Sequence, residues 1–169
     1  VESGPVPTTY DHTTSMSASG ELPRCLESLR CVRGLGHIIV LVIAEPAIEN
    51  KAASKIRAVA EQFPDLNIAV VGAPEMALVR QRMEQLNIGL RNEVGLAGYG
   101  AMRNLGLLLA GALDFDSVVF VDDDVVIDDP AFLEKAMYGL GKLTRSGVPI
   151  LAKSGFYLNK EGCLLYTSD

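Results

Sequence analysis

Short, β-branched apolar runs separated by amphipathic stretches of helical length constrain this chain more than any other feature. His37 to Ala44, Asn67 to Gly72 and Ser117 to Val121 are such runs, the pattern of strands buried on both faces of a parallel sheet. Between them the period changes from continuous to helical. Leu22, Cys25, Leu26, Leu29 and Val32 form one apolar face over Leu22 to Val32. Ala47 to Phe63 keeps Lys51, Lys55, Arg57 and Glu61 on a wet side and closes at Pro64-Asp65. Glu75 to Leu86 and Met102 to Leu113 are two further helices, and Asp129-Pro130 offers a cap followed by proline for another that runs to about Leu143. Val148 to Leu158 reads as a last strand with a bend at Gly155. Strands alternating with helices predict an α/β fold, a mostly parallel sheet flanked by helices with right-handed crossovers and a site beyond the carboxyl ends of the strands.

Composition narrows the function. With 169 residues, 49% hydrophobic and 21% charged, the chain is expected to form one soluble domain with a substantial core. A formal charge of −6 argues against binding nucleic acid, which relies on lysine and arginine to neutralise phosphates. Any phosphate-bearing ligand must therefore meet a local site or a metal that offsets the acidity. Cys25, Cys31 and Cys163 lack zinc-site spacing and are expected to be reduced packing residues in a cytoplasmic protein. The longest apolar runs fall short of the ~20 residues that span a bilayer, and Val1 to Thr9 lacks the charged start and apolar core of a signal peptide. The start reads as cut, not processed.

Chemistry concentrates at Val118-Val119-Phe120-Val121-Asp122-Asp123-Asp124, where an apolar strand runs into consecutive carboxylates. Alternation along an extended chain sends Asp122 and Asp124 to one side and Asp123 to the other. Like charges this close repel unless a cation is shared. Mg²⁺ or Mn²⁺ prefers oxygen ligands and binds one or two carboxylates with substrate phosphates and water, so Asp122 and Asp124 suffice when a diphosphate completes the shell. The competing reading is a solvated loop that caps the next helix, but Asp128 and Asp129 already stand where caps are needed. A second signal is the glycine-rich approach Gly95 to Asn104. Gly98 and Gly100 let backbone come close to a ligand, and Arg103 supplies a donor for phosphate or for an acidic partner. A flexible loop whose arginine pairs with a nearby carboxylate is the plainer alternative.

The run Ala101-Met102-Arg103-Asn104-Leu105-Gly106, an apolar helix, and then Phe120-Val121-Asp122-Asp123-Asp124 resembles the central signature of family 2 glycosyltransferases of the GT-A fold. Pro7-Thr8-Thr9-Tyr10 is similar to the family's nucleotide loop, Leu22 to Leu29 to its first helix, and Ala44 to Asn50 lies where it carries an acidic base-binding loop. The resemblance implies that Pro7, Thr8, Tyr10, Glu45, Gly98, Gly100, Arg103, Asp122 and Asp123 bind a nucleotide-sugar, with Asp122 and Asp124 on Mn²⁺ or Mg²⁺. It also implies a nucleoside-diphosphate-sugar donor (UDP or GDP), an acceptor hydroxyl of unknown identity, and inversion at the anomeric carbon. Glutamates replace the family's aspartates at Glu45 and Glu49, which leaves the base open. The family's general base and acceptor site belong well downstream of the metal aspartates. Residues 1–162 are therefore expected to be the donor half of a GT-A domain incomplete at its C-terminus, and 163–169 a non-native tail. The full-length protein would be cytoplasmic or peripheral at a membrane.

Three other readings remain open. A sugar nucleotidyltransferase would carry a Gly-rich loop with Arg and Lys straight after its first strand, and Val6 to Ser19 offers none. A phosphorylation-receiver domain has a similar acidic pocket, but at the end of its first strand. A non-catalytic nucleotide-sugar sensor would show metal-dependent binding without turnover.

Overall fold

Ile38-Ile39-Val40-Leu41 and Ile68-Ala69-Val70-Val71 are the residues that pair. In the computed structural model, which describes residues 15–17, 20–90, 92–155, 157–158 and 164–165, they form strands β1 (Ile38–Leu41) and β2 (Ile68–Val71). The two run parallel in the register Ile38↔Ile68 to Leu41↔Val71. Helix α1 (Leu22–Leu29) precedes β1, α2 (Glu49–Ala60) joins β1 to β2, and α3 (Ala73–Gln85) follows β2 directly. Next come α4 (Tyr99–Ala112) and α5 (Phe132–Met137), then a short antiparallel pair, β3 (Tyr157–Leu158) with β4 (Leu164–Leu165). Among the described residues no helix is long and apolar enough to cross a membrane.

The period of two along β1 and β2 sorts their side chains into two cores. Ile38, Val40 and Ile68 pack with Leu22, Cys25, Leu26 and Leu29 of α1 and Val59 of α2. Ile39, Leu41 and Val71 pack with Met76 and Met83 of α3 and Leu105 of α4. Helices thus cover both faces of the small parallel sheet, the arrangement expected when strands lack a polar face. Leu26 and Leu105, almost wholly buried, anchor the two cores. Polar contacts fix the connections. The Arg30 guanidinium forks onto Asp65 with two 2.8 Å bonds, and the Glu75 carboxylate accepts from the Gly72 N–H at 2.9 Å and from Arg57 at 2.6 Å.

Three expected elements differ. Ser117 to Val121 forms no ladder, with no strand beside it among the described residues, and Val118, Val119 and Val121 are each 37–38% exposed. β-branched residues favour a strand by packing against neighbours on a sheet, and without a neighbour the preference goes unexpressed. The helix after Pro130 begins at Phe132 and ends at Met137, well before Leu143, since Tyr138 turns extended and Gly139 takes a left-handed φ of 84°. In place of a strand from Val148, Thr144 and Val148 close a tight turn, Pro149 bridges to Leu143, and among the described residues of that stretch only Tyr157–Leu158 forms a strand.

Candidate functional site

The acidic segment is a turn. Val125 donates its N–H to the Asp122 carbonyl at 3.2 Å, so Asp122 to Val125 fold back and the alternation expected of an extended chain does not hold there. All three aspartates are exposed.

Helix α1 fixes the backbone of this turn and of the chain after it. Arg24 Nη2 donates to the Asp124 carbonyl at 3.1 Å, and the Cys25 thiol points at the Asp122 carbonyl at 3.9 Å. Ser28 Oγ accepts the Ile127 N–H at 3.0 Å while donating to the Cys25 carbonyl at 2.7 Å, and Cys31 Sγ lies 3.5 Å from the Ile127 carbonyl. Ile127 itself is buried in the α1 core, so side-chain packing and hydrogen bonds hold the segment together. Arg24, Ser28 and Cys31 recur at helical spacing beside the apolar face of α1. That stripe was the signal in the sequence for their role, and reading the helix only for its apolar face misses it. Of the cysteines, Cys25 is buried as expected and Cys31 is exposed, whereas Cys163 lies outside the described residues.

Helix α4 approaches from the other side. Gly98 precedes its first turn with φ 84°, a conformation that favours glycine, and Asn104 Nδ2 donates to the Glu93 carbonyl at 2.8 Å to pin the incoming loop. Gly106 lies against the Phe120 ring so closely that an added Cβ would collide with it, the ring Cζ being 2.9 Å away. The close approach sets Arg103, one turn earlier, over Phe120 with its guanidinium carbon 4.6 Å from the ring centroid. Arg103 Nη2 donates to the Tyr99 hydroxyl at 2.9 Å and lies 3.8 Å from Asp122 Oδ1. The start of α4 and the aspartates therefore meet at one corner.

Electrostatics there are strained. The Asp123 carboxyl is pushed above the usual aspartate range, first by loss of surrounding solvent although the residue is exposed overall, then by Asp124, Asp122 and Glu21. The Cys25 thiol is raised to about 11 by burial, with Asp123 and Asp124 adding to the effect, so it remains a neutral donor at physiological pH. Arg24, paired with Glu21 at 3.2 Å, partly offsets this charge.

Glu45 is exposed beyond the carboxyl end of β1, where its carbonyl accepts the Ile48 N–H in the turn that opens α2. Gly100 has open space around its α-carbon. Pro7, Thr8 and Tyr10 lie outside the described residues. Lys153 donates to the Lys135 and Tyr138 carbonyls at 3.0 and 2.9 Å and so caps the end of α5. Two surface hollows, of about 360 Å³ beside Phe63 and Ile68 and about 440 Å³ beside Val94 and Leu108, lie away from the aspartates.

Among the described residues no group of three or more His, Cys, Asp or Glu side chains is arranged to hold a metal ion. No protein-family model, no curated protein and no solved structure matches this chain.

Proposed function

We propose that this chain is the donor half of a metal-dependent GT-A glycosyltransferase, and that the Asp122–Val125 turn binds the diphosphate of a nucleotide-sugar through Mg²⁺ or Mn²⁺. The observation that carries the reading is the meeting of Arg103 with Phe120 and Asp122, which brings a phosphate-type donor and a carboxylate together. A parallel sheet with helices on both faces is compatible with that fold.

The donor set suits such an ion. It consists of exposed carboxylate oxygens, the ligand type that such hard cations prefer. When bound, the cation supplies neutralisation of the charge that grows on the departing diphosphate. The chain's own residues do the rest. Asp122 and Asp124 offer oxygens, Arg24, Cys25 and Ser28 hold the backbone that carries them, and Arg103 is poised to donate to a phosphate oxygen. A backbone fixed beforehand leaves less order to be lost on binding.

Isothermal titration of UDP and GDP, with and without Mn²⁺, tests the proposal on wild type and Asp124→Ala. Binding of one nucleotide should require the metal and weaken at least tenfold in the variant, the scale of losing one charged contact. Metal-independent binding, or binding that Asp124→Ala leaves unchanged, would overturn it.

A further inference from the structure

We propose that Arg103 serves as the resident counter-charge of Asp122 in the ligand-free protein and transfers to the diphosphate when a cation takes its place. The inference rests on the reading above and assigns Arg103 a positioning role that couples metal binding to nucleotide binding.

The geometry of Arg103 is that of a charge held near its partner without being locked to it. Its Nη2 stands 3.8 Å from Asp122 Oδ1, within ion-pair range but beyond hydrogen-bond length, and the two side chains are 35% and 51% exposed. The guanidinium lies over Phe120 at 4.6 Å and beside Tyr99 at 5.0 Å, and Tyr99 accepts from the same Nη2. Two rings and a hydroxyl thus fix the guanidinium, and a planar donor held this way is prepared for an oxyanion. The tight Gly106–Phe120 contact keeps α4 from carrying it away.

A metal ion and this guanidinium cannot both press on the Asp122 carboxylate without repelling each other. Metal alone must compete with Arg103 and binds weakly. A diphosphate reverses the sign by giving Arg103 an acceptor and the cation further oxygen ligands, so each ligand favours the other. Coupling of this kind is reciprocal, and removing Arg103 should reduce it from both directions.

The test follows Mn²⁺ alone by the electron paramagnetic resonance of the free ion, and UDP and GDP at saturating Mn²⁺ by calorimetry, on wild type, Arg103→Gln, Arg103→Lys and Asp124→Ala. Arg103→Gln should bind Mn²⁺ alone about two- to fivefold more tightly, as expected for losing a competing exposed ion pair. The same variant should bind nucleotide with Mn²⁺ about tenfold or more weakly. Arg103→Lys, which keeps the charge but not the fork, should match wild type for Mn²⁺ alone and bind nucleotide less well. If Arg103→Gln does not fold, the lysine variant still decides, because a rise in its affinity for Mn²⁺ alone would overturn the proposal. Arg103→Gln shifts in the same direction for both ligands, or an unchanged affinity for Mn²⁺ alone, would overturn it too, while Asp124-dependent nucleotide binding would leave the functional reading standing. If wild type shows no Mn²⁺-dependent nucleotide binding, both fall.

Discussion

Asp123 bears the cost of placing three carboxylates in one turn. Its carboxyl ionises less readily in the folded chain than in the unfolded one, because solvent is displaced around it and Asp124, Asp122 and Glu21 face it. The folded state is therefore penalised once Asp123 is charged. The penalty is absent below the ordinary aspartate value, grows as pH rises through the raised one, and stays constant above it. Asp123→Asn should accordingly raise the urea midpoint of the metal-free protein at pH 7. The gain should be a fraction of about 1 kcal/mol, since water and salt screen exposed charges, and it should shrink as pH falls through the acidic range. A variant no more stable than wild type at pH 7 would mean that the crowding around this carboxyl has no energetic weight.

At the scale of elements, the contact between α4 and the chain before the aspartates matters most. Gly106 is buried because the Phe120 ring fills the place where a side chain would be. Gly106→Ala should cost about 1–3 kcal/mol by overpacking, despite the better helix propensity of alanine, and Gly106→Ala with Phe120→Leu should recover part of it. Chemical denaturation of the single and double variants measures this, and a single variant as stable as wild type would show that the ring moves aside freely. The elements that the sequence made legible are those whose partners are close in the chain. Ile38–Leu41 and Ile68–Val71 pair with each other, and the intervening α2 has a clear wet side, so periodicity alone locates them. Val118 to Val121 reads equally well as a strand, but a strand needs a neighbour, and periodicity cannot say whether one is present. The aspartates were visible as a cluster. Their turn and its attachment to Arg24 and Ser28 were not, because a contact across about a hundred residues leaves no mark on local spacing.

For the molecule as a whole, the acidic turn lies where two helical layers meet. Arg24, Cys25 and Ser28 reach it from the layer on one face of the sheet, and Arg103 reaches it from the layer on the other. With a net charge of −6 the surface as a whole repels an anionic ligand, so under the proposed function these two arginines and a divalent cation would create the local exception. The proposed cation site can be tested directly. Substoichiometric Mn²⁺ added with UDP or GDP to ¹⁵N-labelled protein should broaden the amide signals of Asp122 to Val125 and of the first turn of α1 before any others, and Asp124→Ala should abolish the effect. Broadening centred elsewhere, or none in the presence of either nucleotide, would contradict the site.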